Sequence, residues 1–145
     1  MWGHYASNHT GLCLGFDVDE SIAMPITYIS KRLSFDELFT RKMTKEEISR
    51  ISNIYMTTKF SHWRYENEVR ITAILDPSGD DIQFSYFCDQ VKLRSVHVGV
   101  RSDITRSAIF DALGSDFRDE VKVVNTRLAF RSFKIVTQRN RNLWK

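Results

Sequence analysis

Short strand-like runs, bounded by turn residues, recur along the whole sequence and are the feature that most constrains its fold. Only residues 96–126 look like a crossover unit, with a helix between two strands. This order predicts an α+β domain with a mainly antiparallel sheet, split or curved, and two to three helices. The strands are predicted at residues 11–18, 26–29, 68–75, 82–86, 93–100, 122–130 and 132–137, the first two pairing as a hairpin.

Two segments carry stronger helix signals than the rest of the chain. Thr44 with Glu47 three residues later is a capping-box pattern and predicts a helix over residues 45–58. Ile48, Ile51 and Tyr55 recur there at helical spacing, which predicts one apolar stripe. Ser34 is the expected cap of a short helix before it. A further helix is predicted from an Asp103 cap to Leu113, with Gly114 as its stop.

Length and composition favour a compact domain away from membranes. The 145 residues are the usual size of one domain, so we expect residues 1–145 to form a single domain. No apolar run approaches the roughly 20 residues that cross a bilayer. No export signal is visible, which predicts a cytoplasmic protein. Cys13 and Cys88 are isolated in apolar surroundings and are predicted to be buried thiols rather than a disulfide.

The charge of the chain is unevenly distributed. Residues 121–145 hold seven Lys or Arg residues and no acid. Such a basic segment can attract the phosphate backbone of a nucleic acid. The alternative is a strand with solvated outer charges that ends in a frayed terminus.

A cluster of ionisable and aromatic residues lies between positions 59 and 70. Glu66, Glu68 and Arg70 are spaced by two, so they share one face if the segment is a strand. Two carboxylates beside a guanidinium can bind a cation or divide acid and base roles. Trp63 and Tyr65 fall on a common face if the strand extends back, where a ring could stack on a base. The alternative is a solvated strand face with a Glu–Arg pair. The full cluster is Lys59, His62, Trp63, Tyr65, Glu66, Glu68 and Arg70.

A second cluster, Trp2, His4, Tyr5, His9 and Asp17, precedes and enters the first strand. Histidine is the natural proton carrier near neutral pH. A metal site on His4, His9 and a carboxylate lacks any recognised ligand spacing, so no metal is predicted. Histidines held in a structural network are the alternative. The GxGxxG, GxxxxGK[ST] and GxSxG motifs are absent, so Rossmann and P-loop nucleotide binding lack support and the sequence leaves the cofactor unknown.

The two clusters together resemble bacterial domain-of-unknown-function family 2971. The similarity rests on three segments: W-x-H-Y (Trp2, His4, Tyr5), G-x-C-x-x-F (Gly11, Cys13, Phe16) and K-x-x-x-W-x-Y-E-x-E-x-R (Lys59, Trp63, Tyr65, Glu66, Glu68, Arg70). A later strand and glycine, Val96, Val98 and Gly99, match loosely, so the resemblance extends over most of the chain.

The family has no assigned activity, so the resemblance implies no particular function. It does favour both clusters forming parts of one site. It also implies that this chain lacks the N-terminal portion that family members usually carry, and an exposed edge strand there would invite a homodimer.

Three function classes are open to this sequence. The first is an enzyme acting on a nucleotide-like ligand, by fold-level analogy with ADP-ribosyltransferases. In such an enzyme, the ligand would also contact Trp2, Lys59 and Arg70. The second class is a module that binds nucleic acid or protein through the basic C-terminal strand, and the third is a structural domain with a polar core network. In the enzyme, His4 or Tyr5 would bind the ribose, and Trp63 or Tyr65 would stack on the ring. Glu66 or Glu68 would stabilise an oxocarbenium ion. The catalytic candidates are therefore His4, Glu66 and Glu68.

Overall fold

The computed structural model describes residues 1–34, 43–73 and 87–144 of the chain. Its contacts divide the chain into two compact units, which are Met1–Val18 with Ser85–Lys145 (unit 1) and Asp19–Phe84 (unit 2). The single domain expected from the sequence stays a prediction, because this division does not test whether the units fold separately.

The described residues form short helices and strands in alternation, the α+β class predicted from the sequence. Strand pairing is mostly antiparallel and is split over three sheets. In chain order the elements are helix α1 (Trp2–Tyr5), strands β1 (Leu12–Val18), β2 (Met24–Pro25) and β3 (Thr27–Ile29), helix α2 (Lys45–Met56), strand β4 (Thr58–Phe60), a 3-10 helix (Ser61–Glu66), strands β5 (Val69–Arg70) and β6 (Val91–Val98), helix α3 (Arg106–Phe117), strands β7 (Lys122–Leu128) and β8 (Ile135–Thr137), and a closing 3-10 turn (Arg141–Leu143).

Unit 1 is built on a four-stranded sheet in the order β1-β6-β7-β8. Strands β6 and β7 are parallel, and α3 connects them, so the crossover predicted over residues 96–126 is confirmed. The outer pairs β1–β6 and β7–β8 are antiparallel. Side chains from β6, α3 and the residue just before β7 form the core, and the buried face of β6 continues across an irregularity in its register with β1. The buried members are Leu93, Val96, Val98, Ile109 and Val121.

Unit 2 contains two small sheets and one long helix. Strands β2 and β5 pair antiparallel, and β3 and β4 pair parallel. Helix α2 begins with the predicted capping box, in which Thr44 Oγ1 accepts from the Glu47 N–H at 3.2 Å and Glu47 accepts from the Thr44 N–H at 2.9 Å. Of its predicted apolar stripe only Ile51 is buried, while Ile48 and Tyr55 are about half exposed.

The predicted hairpin between the first two strands is wrong. Strand β1 pairs instead with β6, over a register that runs from Leu12 opposite Val98 to Val18 opposite Val91. Strand β3 has only three residues and pairs with β4. A long strand gains more backbone hydrogen bonds from a long partner, so the distant β6 is preferred over the neighbouring β3.

Two further local predictions are corrected, and three lie outside the described residues. Helix α3 begins at a Thr105 cap rather than Asp103, because the Thr105 hydroxyl accepts from the Ala108 N–H at 3.2 Å. The helical conformation breaks at Gly114, where φ is 67°, as predicted. The strand predicted over 68–75 is limited to Val69–Arg70 in the described residues. The Ser34-capped helix, the turn at residues 76–79 and the strand at 82–86 lie outside them.

Cys13 and Cys88 are free thiols, as predicted, but both are exposed rather than buried. Cys13 lies in β1 between Leu12 and Leu14, which are themselves exposed, so its apolar neighbours in sequence do not bury it. In the described part of the chain, no helix has the length and apolar character needed to cross a membrane.

Candidate functional site

The segment from Lys59 to Arg70 folds as a tight turn of 3-10 helix between two short strands. Lys59 lies in β4, and Glu66 is the last residue of the 3-10 helix. Asn67 ends that helix in the left-handed conformation, with φ 47° and ψ 51°. Asn tolerates this region better than most residues, since its short side chain clashes little there. The expectation that Glu66 shares a strand face with Glu68 and Arg70 is therefore wrong, because the chain turns between the two carboxylates.

The turn nevertheless brings both carboxylates onto one ammonium group. Lys59 Nζ donates to Glu66 Oε2 and, at 2.9 Å, to Glu68 Oε2. Arg70 Nε donates to the other oxygen of Glu68, Oε1, at 2.6 Å. The resulting charged cluster (Lys59, Glu66, Glu68 and Arg70) contains two cations and two anions within a single chain segment.

The charged cluster is tied to the surrounding elements through backbone groups. Arg70 Nη1 donates to the Met56 carbonyl oxygen, the C-terminal residue of α2, at 2.5 Å. The backbone N–H of Glu68 donates to the Tyr28 hydroxyl in β3 at 2.8 Å. Cations at a helix C-terminus also stabilise the helix dipole. The charged cluster therefore joins α2, β3, β4 and β5 of unit 2.

The charges of the cluster are stabilised by their own partners. The Arg70 guanidinium first, and the Lys59 ammonium second, lower the pKa of Glu68 to about 2. Hydrogen bonds to Glu66 and then to Glu68 raise the pKa of Lys59 above its ordinary value. A general acid at neutral pH needs a pKa near that pH. Glu68 stays ionised far below neutral pH, which favours a positioning role over proton donation.

Aromatic rings surround the charged cluster on the same segment. Lys59 Nζ lies 5.3 Å from the centroid of the Trp63 ring, a cation–π contact. The Trp63 and Tyr65 ring centroids are 6.0 Å apart, and both side chains are exposed. The ring of His62 contacts Phe60 instead, with centroids 4.5 Å apart.

A cavity of about 640 Å³ lies beside Lys59 and within unit 2. Among the described residues, its lining contains three cations and two aromatic rings but no acid. Neither Lys31 nor Arg32 forms a salt bridge with another described residue. The lining residues are Ile29, Ser30, Lys31, Arg32, Leu33, Tyr55, Thr58, Lys59 and Phe60. Sequence reasoning missed all of these except Lys59. The adjacent Lys31-Arg32 pair directly after a strand was the one available signal.

The second predicted cluster, which begins at Trp2, lies in unit 1. Trp2 and His9 are parallel, with ring centroids 6.3 Å apart. His9 follows Ser7 and Asn8 in a run of left-handed residues, so the chain after α1 coils back on itself. The carboxylate of Asp17 has a different partner, because its Oδ2 accepts a hydrogen bond from Arg94 Nε at 2.6 Å. His4 is exposed on α1.

Within residues 1–34, 43–73 and 87–144, no three His, Cys, Asp or Glu side chains are grouped so that they could hold a metal ion. The described carboxylates of the charged cluster bind Lys59 and Arg70 instead.

Residues 1–71, just under half of the chain, match the model of a family described as a protein of unknown function, DUF2971. These residues (the DUF2971 segment) are therefore similar to that family. The DUF2971 segment contains α1 and β1 of unit 1 and the charged cluster of unit 2. The loose similarity at Val96, Val98 and Gly99 lies beyond the match, which therefore covers the N-terminal part of the chain rather than most of it. No curated protein and no solved structure matches the chain.

Proposed function

We propose that unit 2 binds a small phosphorylated, aromatic ligand of the nucleotide class in the cavity beside Lys59. The observation that carries this proposal is the composition of the described lining, in which three cations and two rings border one cavity and no described lining residue is an acid. A volume of about 640 Å³ lies within the range of small-molecule sites, roughly 300–1,000 Å³. Lys59 also belongs to the DUF2971 segment, whereas a smaller cavity of about 400 Å³ in unit 1 lies outside it.

The lining supplies both kinds of group that a nucleotide needs. The Arg32 guanidinium presents a planar fork of donors that suits phosphate oxygens, and Lys31 adds a second positive charge. Tyr55 and Phe60 offer rings on which a base can stack. The cations and the rings border the same cavity, so one ligand can contact both groups.

Lys59 is the group whose position is best defined. Its ammonium has three N–H donors, and Glu66 and Glu68 accept two of them. The third donor is left for a ligand oxygen. A side chain held in this way loses little entropy on binding, because its rotamer is already restricted. In this proposal Glu66, Glu68 and Arg70 position Lys59, and Trp63 packs beside its charge.

The other candidates from the sequence keep the status of predictions. Catalysis by Glu66 or Glu68 and ligand contacts by Trp63 or Tyr65 extend the same proposal within unit 2. The roles predicted for His4, Trp2 and Tyr5 in unit 1 stay predictions from the sequence. The free, exposed thiols of Cys13 and Cys88 suit a reducing compartment, which supports the bacterial cytoplasm as the site of action.

The test is a titration of the full chain with AMP, ADP and NAD, followed by calorimetry and thermal shift. We expect binding that stabilises the fold, with K31A/R32A weakening it at least tenfold, since two phosphate contacts are lost. The matched control is K45A, which removes an exposed lysine of α2 outside the cavity. No binding by the wild-type chain, or equal binding by K31A/R32A and K45A, would exclude this function.

A further inference from the structure

The loop that joins β7 and β8 presents two aromatic side chains to solvent. The Ala129 N–H donates to the Lys134 carbonyl oxygen at 2.9 Å and closes a hairpin loop over residues 130–133. Phe130 and Phe133, at the two ends of this loop, are 91% and 113% exposed. Burying a phenylalanine side chain stabilises a fold, so two rings of one short loop left in water indicate a contact surface.

Cations alternate with these rings along the hairpin. The Arg127 guanidinium lies over the Phe130 ring, with Cζ 4.6 Å from the centroid. Arg131 follows Phe130, and Lys134 follows Phe133. None of the three cations forms a salt bridge with another described residue, and residues 121–145 contain no acid.

We propose that this hairpin tip (Arg127, Phe130, Arg131, Phe133 and Lys134) binds single-stranded nucleic acid. Bases of any sequence can stack on exposed rings, and a basic surface follows the phosphates between them. Stacking needs a free ring face, and Arg127 covers one face of Phe130 while that side chain remains 91% exposed. The interleaved order of rings and cations matches the alternation of bases and phosphates along a strand.

An anionic membrane surface has similar requirements but fits the loop less well. The residues between the two rings are Arg131 and Ser132, so the apex of the loop is charged and polar. That apex would enter the bilayer before either ring, and burying a charge there is unfavourable. A single strand instead needs a cation at this position.

The hairpin tip lies in unit 1, and the proposed nucleotide cavity lies in unit 2. They share no residue, so either proposal can fail while the other holds.

The experiment measures fluorescence anisotropy of a labelled oligothymidylate of about 12 nucleotides, within the usual site size for one domain, against the full chain. Three phosphate contacts predict that the affinity falls about 20-fold between about 50 and 200 mM salt. We expect F130A/F133A to weaken binding at least about fivefold per ring, and F130W/F133W to retain it. L143A is the matched control, since it removes a different exposed apolar side chain of unit 1.

The charge of the hairpin has its own variant. R131A/K134A should reduce the slope of log affinity against log salt by about 1.4. The control R50A removes an exposed arginine of α2 and should leave that slope unchanged. All hairpin variants should have the melting temperature of the wild-type chain, because the substituted side chains are exposed.

Three outcomes would overturn the proposal. They are no binding of the oligonucleotide at low salt, equal binding by F130A/F133A and L143A, and binding of phosphatidylserine vesicles that needs the two rings while the oligonucleotide does not bind.

Discussion

Glu68 is the residue on which most of the charged cluster depends. One of its oxygens accepts from Lys59 and the other from Arg70, while its backbone N–H donates to Tyr28. A carboxylate with two cationic donors stays ionised, so its pKa falls to about 2. The same contacts that make Glu68 a poor proton donor make it the link between Lys59 and Arg70.

The Glu68 contacts predict a specific pH dependence of stability. Its folded pKa of about 2 lies below its ordinary value of 4.5, so its contribution is present above about pH 4.5 and is lost as pH falls toward 2. Because the side chain is partly exposed to water, we expect that contribution to be about 1 kcal/mol. Urea unfolding of wild type and E68Q should therefore differ at pH 6 and converge near pH 2.

The matched control for this measurement is E20Q, which removes an exposed carboxylate of the same unit. A difference between wild type and E68Q that is constant from pH 6 to pH 2 would show that the carboxylate charge contributes nothing.

At the scale of elements, the segment after α1 is held on the residues that follow β6 by backbone hydrogen bonds. The Gly99 N–H donates to the Gly11 carbonyl at 3.0 Å, and the Arg101 N–H donates to the His9 carbonyl at 3.0 Å. A Cβ at Gly99 would lie 2.2 Å from the His9 carbonyl oxygen, too close for any side chain. The left-handed residues Ser7, Asn8 and His9 therefore dock onto a glycine.

Substituting Gly99 tests this docking. We expect G99A to lower the free energy of unfolding by about 1–3 kcal/mol, because the backbone must shift to relieve the overlap. G3A is the control, since a Cβ at Gly3 would meet no atom within 4 Å. Urea denaturation of both variants measures the difference. Equal stabilities would mean that the segment after α1 does not pack on Gly99.

At the scale of the whole molecule, the chain consists of two units whose segments interleave in sequence. Unit 1 is formed from both ends of the chain, Met1–Val18 and Ser85–Lys145, and unit 2 from the middle. The DUF2971 segment, residues 1–71, crosses from unit 1 into unit 2. The family therefore does not correspond to either unit alone.

The single domain expected from the sequence predicts one cooperative unfolding transition. Differential scanning calorimetry of the full chain should give equal calorimetric and van't Hoff enthalpies. Two resolved transitions would show that the units unfold separately, and the variant E68Q would then lower only the transition of unit 2.

Local signals in the sequence determined the parts of the fold that depend on neighbouring residues. The capping box at Thr44 and Glu47, the break at Gly114 and the positions of β1, β6 and β7 were predictable because each rests on hydrogen bonds or conformational preferences within a few residues. Residues that bind close by in sequence can be recognised from their spacing.

The tertiary structure decided the strand partners and the chemistry of the site. Strand β1 pairs with β6 across more than seventy residues, and no local pattern encodes that choice. The charged cluster formed because Asn67 turned the chain, which placed Glu66 and Glu68 on Lys59 instead of on a strand face. The cavity required β3, α2 and β4 to meet, so the Lys31-Arg32 pair borders the same cavity as Tyr55 only in the folded chain.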